Sequence, residues 1–105
     1  MKTMFEMQKE VDAYISQFKV GYFSPLANLA RLTEEVGELA REINHFHGEK
    51  KKKDSEAENT IAAELGDNLF VLLCIANSLD IDLTESFNQT MEKFNTRDKN
   101  RFERN

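Results

Sequence analysis

A chain of 105 residues with 40% hydrophobic content and a formal charge of −5 suits one domain with one core. The acidic balance sets aside nucleic-acid polymers as partners, because proteins that grip a phosphodiester backbone present a basic face. A single cysteine, Cys74, excludes a disulfide framework and a cysteine-rich zinc site. It lies in the apolar run "LFVLLCIA" (69–76), with no cation beside it in sequence to activate the thiol, and reads as packing. That run is far short of the roughly 20 residues that span a bilayer. At the start, "MKTMFEMQKEVD" brings in charge before any apolar stretch develops, so no signal peptide is expected. The reading is of a cytoplasmic protein with no membrane partner.

In chain order, "TMFE" opens a first helix as a capping box, with Thr3 as N-cap and Glu6 reaching back to it. Met4, Met7, Val11, Tyr14, Ile15 and Phe18 then share one face, and "VGYFSP" ends the helix. Ser24 followed by Pro25 starts a second helix, since proline fits the first helical position. Its expected buried stripe is Leu29, Leu32, Val36, Leu39, Ile43 and Phe46. The polar segment from Gly48 to Asn59 closes it and reads as a flexible loop. "KKKK" (50–53) lies there between acids and reads as solvated, with attraction of an anionic substrate as the functional alternative.

A third helix is predicted from Thr60 to Leu79. Its first half is amphipathic, but residues 69–76 are apolar all round, and such a helix is surrounded by protein on every side. Four short helices do not easily enclose one of their number, so a second subunit is the simplest cover. "DIDLTE" supplies a turn and an N-cap, after which Leu83, Phe87, Met91 and Phe94 line a fourth helix. The tail "DKNRFERN" (98–105) has little but Phe102 to bury and is expected to be frayed or docked on a partner. The expectation is one all-α domain over 1–105, a four-helix bundle completed by oligomerisation into a homodimer or homotetramer.

The chemistry lies in "EEVGE" (34–38) and "ELGD" (64–67). Glu35 and Glu38 are three apart and share a helix face, and so are Glu64 and Asp67. Antiparallel packing of the second and third helices brings the two pairs face to face. Carboxylates beside a core need pairing or a metal, and four oxygen donors suit Mg²⁺, with Mn²⁺ as a substitute. The plainer alternative has the acids on helix rims, paired with Arg31, Arg41 or lysines. One such pair would favour that view, but two on successive helices argue against it.

No Glu-x-x-His pair occurs, which disfavours oxygen-activating iron. His45 and His47 are two apart and do not share a face. There is no P-loop, no dinucleotide fingerprint and no serine or cysteine nucleophile constellation. A hard metal with none of these points to water as nucleophile and a phosphoryl group as target.

Taken together, "RLTEEVGELAREI", "AAELGDNLFVLLCIANSLDIDLTESF" and "MEKFNTR" resemble the MazG-like nucleotide pyrophosphohydrolases of the all-α NTP pyrophosphatase superfamily. The resemblance covers residues from about 25 to 97. The family's EExxE and ExxD motifs fall on Glu34-Glu35-x-x-Glu38 and Glu64-x-x-Asp67. By resemblance Glu35, Glu38, Glu64 and Asp67 bind Mg²⁺ and Glu34 assists. Lys93 and Arg97 match basic positions that hold substrate phosphates. Met91 departs from many members, which carry asparagine there, and this bears on base or sugar preference.

The activity implied is hydrolysis of a nucleoside triphosphate, non-standard or damaged, to monophosphate and pyrophosphate. One of Glu34, Glu35 and Glu38 would take the proton from the attacking water. Tyr22 and Phe23 are candidates to stack on a base, with core or interface packing as the alternative. A phosphoribosyl-ATP pyrophosphohydrolase shares the broader fold and chemistry. A non-enzymatic helical interaction module is the rival of another class, and it predicts no metal binding.

Overall fold

Each helix starts where its polar cap directs. In the computed structural model, which describes residues 1–47, 60–98 and 100–103, Thr3 Oγ1 accepts from the Glu6 amide (3.1 Å) and Glu6 accepts from the Thr3 amide (2.9 Å). This closes the capping box of α1, Met4–Ile15. Gly21, at φ +66°, turns the chain through the left-handed region that glycine enters without strain. Ser24 Oγ accepts from the Ala27 amide, and α2 runs over Pro25–His47. Thr60 caps α3, Ile61–Ser78, through the Ala63 amide. Asp82 caps α4, Leu83–Arg97, through the Thr84 amide. Among the described residues the chain is all helix, with no strand. The connection over 48–59, read above as a flexible loop, and part of the tail lie outside the described residues.

The principal pairing is α2 with α3, α1 packs on α3, and α4 packs on α1. Val11, Leu73 and Cys74 form the buried centre, with Met4, Met7, Ile15, Tyr22, Phe70 and Leu83 around it. Gln8 ties the far end together. Its side-chain nitrogen donates to Asn77 Oδ1 (2.9 Å) and the Ile81 carbonyl (2.8 Å), and its oxygen accepts from the Leu83 amide (2.9 Å). Asn77 in turn donates to the Tyr22 hydroxyl, which donates to Asp12.

The expected stripe of α2 is corrected. Leu32 and Leu39 are half-buried, but Leu29, Val36, Ile43 and Phe46 are exposed. The face turned inward instead carries Asn28 and Glu42, both buried, with Glu35 and His45 half-buried. Two adjacent stripes share this helix, and the polar one faces α3 because it meets Glu64 and Asn68 there.

On α3 the apolar run is divided between buried and exposed positions. Val71, Leu73, Cys74 and Ala76 are buried, whereas Leu69 is 39% and Leu72 45% exposed, so one chain encloses the apolar run on one side only. At 100° per residue, Leu65, Leu69 and Leu72 of α3 and Leu29, Val36 and Ile43 of α2 fall on one side of the antiparallel pair. The radius of gyration, 17.2 Å, exceeds the roughly 13 Å of a compact chain this long. Taken whole, α3 is long and apolar enough to cross a membrane, but it carries Glu64 and Asp67 in its first two turns.

Candidate metal centre

Glu35 on α2 and Glu64 and Asp67 on α3 each place a carboxylate oxygen such that all three lie within 4.8 Å of one another. The heptad phase of α2 turns Glu35 inward, and the i, i+3 spacing of α3 presents Glu64 and Asp67 from adjoining turns. Glu64 is buried, Glu35 half-buried and Asp67 exposed, so the cluster runs from the helix interface out to its rim. Glu38, exposed on the same side, is near enough to share a hydrogen bond with Glu35.

The electrostatics are unbalanced. Burial raises the Glu35 carboxyl above the ordinary range, and the charges of Glu38 and Asp67 add to this. Burial raises Glu64 as well, followed by the charges of Glu38, Asp67, Glu35 and Glu42. The one cation that offsets any of this, among the described residues, is Arg31, which acts on Glu35. Glu35 Oε2 and Glu64 Oε2 are buried without a hydrogen-bond partner. Unpaired buried carboxylate oxygens are costly, and three converging from two helices form a donor set that a hard divalent cation satisfies.

Asn68 holds the set in register, a role the motif reading missed. Its amide donates to the main-chain carbonyls of Glu35 (3.1 Å) and Glu64 (2.8 Å). Glu42 and its pairing with His45 were also missed. Glu42 is wholly buried, and His45 Nδ1 lies 3.8 Å from its Oε2. The available signal was spacing, since Glu42 is two turns beyond Glu35 and therefore returns to the same face. His47 is exposed, so the two histidines do take different faces.

The remaining sequence candidates divide. Glu34 is exposed. Arg31 lies over the Phe70 ring, 5.6 Å from its centre, and both line a cavity of about 270 Å³ with Tyr14, Phe23 and Asn28. Tyr22 and Phe23 both border this cavity, and the Tyr22 hydroxyl is engaged by Asp12 and Asn77. Lys93 and Arg97 lie on α4, which packs on α1. Both lie over the Phe94 ring on α4, at 5.2 and 5.5 Å, and Arg97 pairs with Asp98 at 3.3 Å.

The chain is similar to known proteins in both sequence and fold. The model of the MazG nucleotide pyrophosphohydrolase domain matches residues 23–102. The protein YpjD of Bacillus subtilis (strain 168) is 63% identical over 103 residues, covering 98% of this chain and 93% of that protein. The crystal structure of B. subtilis YpjD superposes with a TM-score of 0.84 at 62% identity, covering 91% of this chain and 98% of the other. A second crystal structure, of the Bacillus-conserved MazG protein, a nucleotide pyrophosphohydrolase, gives 0.81 at 65% identity over 94% and 96% of the two chains. The chain, with its four helices, therefore belongs to the MazG nucleotide pyrophosphohydrolase family.

Proposed function

We propose that this pyrophosphohydrolase is Mg²⁺-dependent, acts in the cytoplasm as a homo-oligomer, and removes non-standard nucleoside triphosphates as monophosphate and pyrophosphate. The observation that carries the metal requirement is the convergence of Glu35, Glu64 and Asp67 oxygens within 4.8 Å, two of these residues keeping a buried oxygen unpartnered. Glu35, Glu38, Glu64 and Asp67 would hold Mg²⁺, or Mn²⁺ in its place. When bound, such an ion neutralises phosphate charge and lowers the pKa of water.

In the reaction, water adds across the α–β phosphoanhydride. One phosphorus–oxygen bond forms, the anhydride bond breaks, and pyrophosphate leaves. The water's proton passes to a carboxylate oxygen of one of Glu34, Glu35 and Glu38. Lys93 and Arg97 bind the phosphates and stabilise the charge that develops there. The cavity beside Arg31 and Phe70, bordered by Phe23, is suited to the base, and Met91 bears on which base or sugar is preferred.

Oligomerisation is supported by the exposed leucines and valine on one side of the α2–α3 pair, since large contiguous apolar patches are rare on monomers. The test is pyrophosphate release from a panel of normal and modified nucleoside triphosphates, with phosphoribosyl-ATP included, in the presence of Mg²⁺ and of EDTA. Preferential turnover of modified nucleotides with Mg²⁺ supports the reading. Turnover of phosphoribosyl-ATP alone would replace it.

A further inference from the structure

Arg31 stands on the step between the cavity and the acids. On α2 it faces Phe70 of α3, its guanidinium 5.6 Å from the ring centre. Glu35 follows four residues later, about 6 Å along the helix at 1.5 Å per residue, and there meets Glu64 and Asp67 with oxygens within 4.8 Å of one another. On its other side Arg31 lines the cavity of about 270 Å³ together with Phe23, Asn28 and Cys74.

Its charge is felt in both directions. Burial pushes the Cys74 thiol up, and Arg31 opposes that rise. Burial, then Glu38 and Asp67, push the Glu35 carboxyl up, and Arg31 is the cation that opposes them. Arg31 nevertheless forms no ion pair among the described residues, and it is exposed. A guanidinium laid on an aromatic ring is oriented by that stacking, while its planar edge keeps N–H donors for a ligand.

A nucleoside triphosphate with its base in the cavity and its phosphates at the acids must pass this step with its α-phosphate, the group that joins the nucleoside to the β- and γ-phosphates. The forked donors of arginine match two phosphate oxygens in a way that a point charge does not. We infer that Arg31 is a further catalytic residue, donating to the non-bridging oxygens of the α-phosphate. This rests on the pyrophosphohydrolase reading above and adds a contact from α2 to the two assigned to α4. As the water oxygen bonds to the α-phosphorus, the α–β anhydride bond breaks, its electron pair leaves with pyrophosphate, and the water's proton passes to a carboxylate. Charge builds on the oxygens that Arg31 holds, and a donor fixed in place beforehand contributes about 100- to 1,000-fold in turnover.

Arg31→Ala should therefore lower kcat by about 100-fold or more. Arg31→Lys keeps the charge without the fork and should recover only part of the loss. Guanidinium ion, added below the concentration that alters circular dichroism, should raise the turnover of Arg31→Ala, whereas sodium chloride at equal ionic strength should not. Wild-type kcat in Arg31→Ala would overturn the proposal.

A second measurement needs no turnover. A nucleoside and its monophosphate are titrated by calorimetry into wild type and Arg31→Ala. The monophosphate should lose about tenfold or more in affinity, the scale of one hydrogen bond to a charged group, and the nucleoside should lose none. Equal losses for both would place Arg31 on the base, and no loss for either would remove it from the site; each result overturns the proposal. Mn²⁺ titrated without nucleotide should bind the variant at least as tightly as wild type, because a cation beside Glu35 has gone. Weaker Mn²⁺ binding would show that Arg31 shapes the acids, and would also overturn it. If the wild type released no pyrophosphate, yet the monophosphate alone lost affinity in the variant, the enzymatic reading would fail while the phosphate contact stood.

Discussion

The side-chain amide of Asn68 reaches from α3 to the main-chain carbonyl of Glu35 on α2 over 3.1 Å, and also caps the Glu64 carbonyl at 2.8 Å. The two acidic pairs, 29 residues apart from Glu35 to Glu64 in the chain, are thus held in register by a residue outside either motif. Supporting residues of this kind fix ligand orientation, and their loss commonly lowers metal affinity 10- to 100-fold.

Replacing Asn68 with leucine should therefore act twice. Two carbonyls lose a donor across a buried contact, for a loss of about 1–3 kcal/mol in stability. Mn²⁺ affinity should fall by roughly tenfold or more, measured by titration at a temperature where the variant remains folded. Lower stability with unchanged affinity would show that Asn68 ties the helices together without shaping the site.

The elements were legible in the sequence because their caps are local. Thr3, Ser24, Thr60 and Asp82 each close a helix start through a hydrogen bond two or three residues away. The convergence of Glu35, Glu64 and Asp67 was legible because spacing and residue type are both local. What periodicity could not decide was which of two stripes on α2 faces inward. Leu29, Val36 and Ile43 look like a core, yet Asn28, Glu35 and Glu42 take the protected side, and that choice depends on what α3 presents. The packing of α4 on α1 was equally hidden, since it depends on contacts distant in the chain, such as that of Gln8 with the Leu83 amide.

The ligand assignment is tested by Glu38→Gln and Asp67→Asn, each of which removes an anionic oxygen at nearly constant volume. Both residues are exposed, so helix content by circular dichroism should match wild type. Pyrophosphate release should fall by at least 100-fold in each. Full activity in both variants would remove the metal centre from consideration.

Metal and pH should be linked through Glu35 and Glu64. Both carboxyls are raised in the folded chain, first by burial and then by neighbouring acids. For a raised carboxyl the folded state holds its proton longer than the unfolded state does. The metal-free protein should therefore lose stability as pH rises from the ordinary glutamate range to the raised folded value, and level off above it. Mg²⁺ at a hundredfold excess over its Kd would add about 2.7 kcal/mol, or roughly 10–20 °C in Tm for a domain this size. Melting curves at pH 5 and pH 7.5 with EDTA and with Mg²⁺, at fixed protein concentration, check both parts. An equal Mg²⁺ effect in a Glu35→Gln/Glu64→Gln variant would place the ion elsewhere.

Gln8 gives a prediction about the attachment of α4. Its side chain makes three bonds, to Asn77, Ile81 and the Leu83 amide. Gln8→Leu keeps the volume but leaves the Leu83 amide and the Ile81 carbonyl without these partners. A stability loss of about 2–3 kcal/mol is expected in urea unfolding, with faster hydrogen exchange at the start of α4. Unchanged exchange there would mean that packing alone seats the helix.

The apolar side of the α2–α3 pair makes a prediction about assembly. Leu72 is 45% and Val36 50% exposed in a single chain. If no partner covered them, Val36→Glu/Leu72→Glu would be an ordinary surface change, with each position contributing within about 0.5 kcal/mol. If a second copy covers them, each carboxylate would be forced into an apolar contact without a partner, at several times that cost. Light scattering should give the wild type a mass of at least twice 12.2 kDa at micromolar concentration, and the double variant a mass shifted toward one chain. The variant's Tm should also fall and lose its dependence on protein concentration, since mass action then no longer favours the folded state. Wild type at the mass of one chain would refute the assembly. A variant that keeps both the wild-type mass and Tm would move the interface to another face.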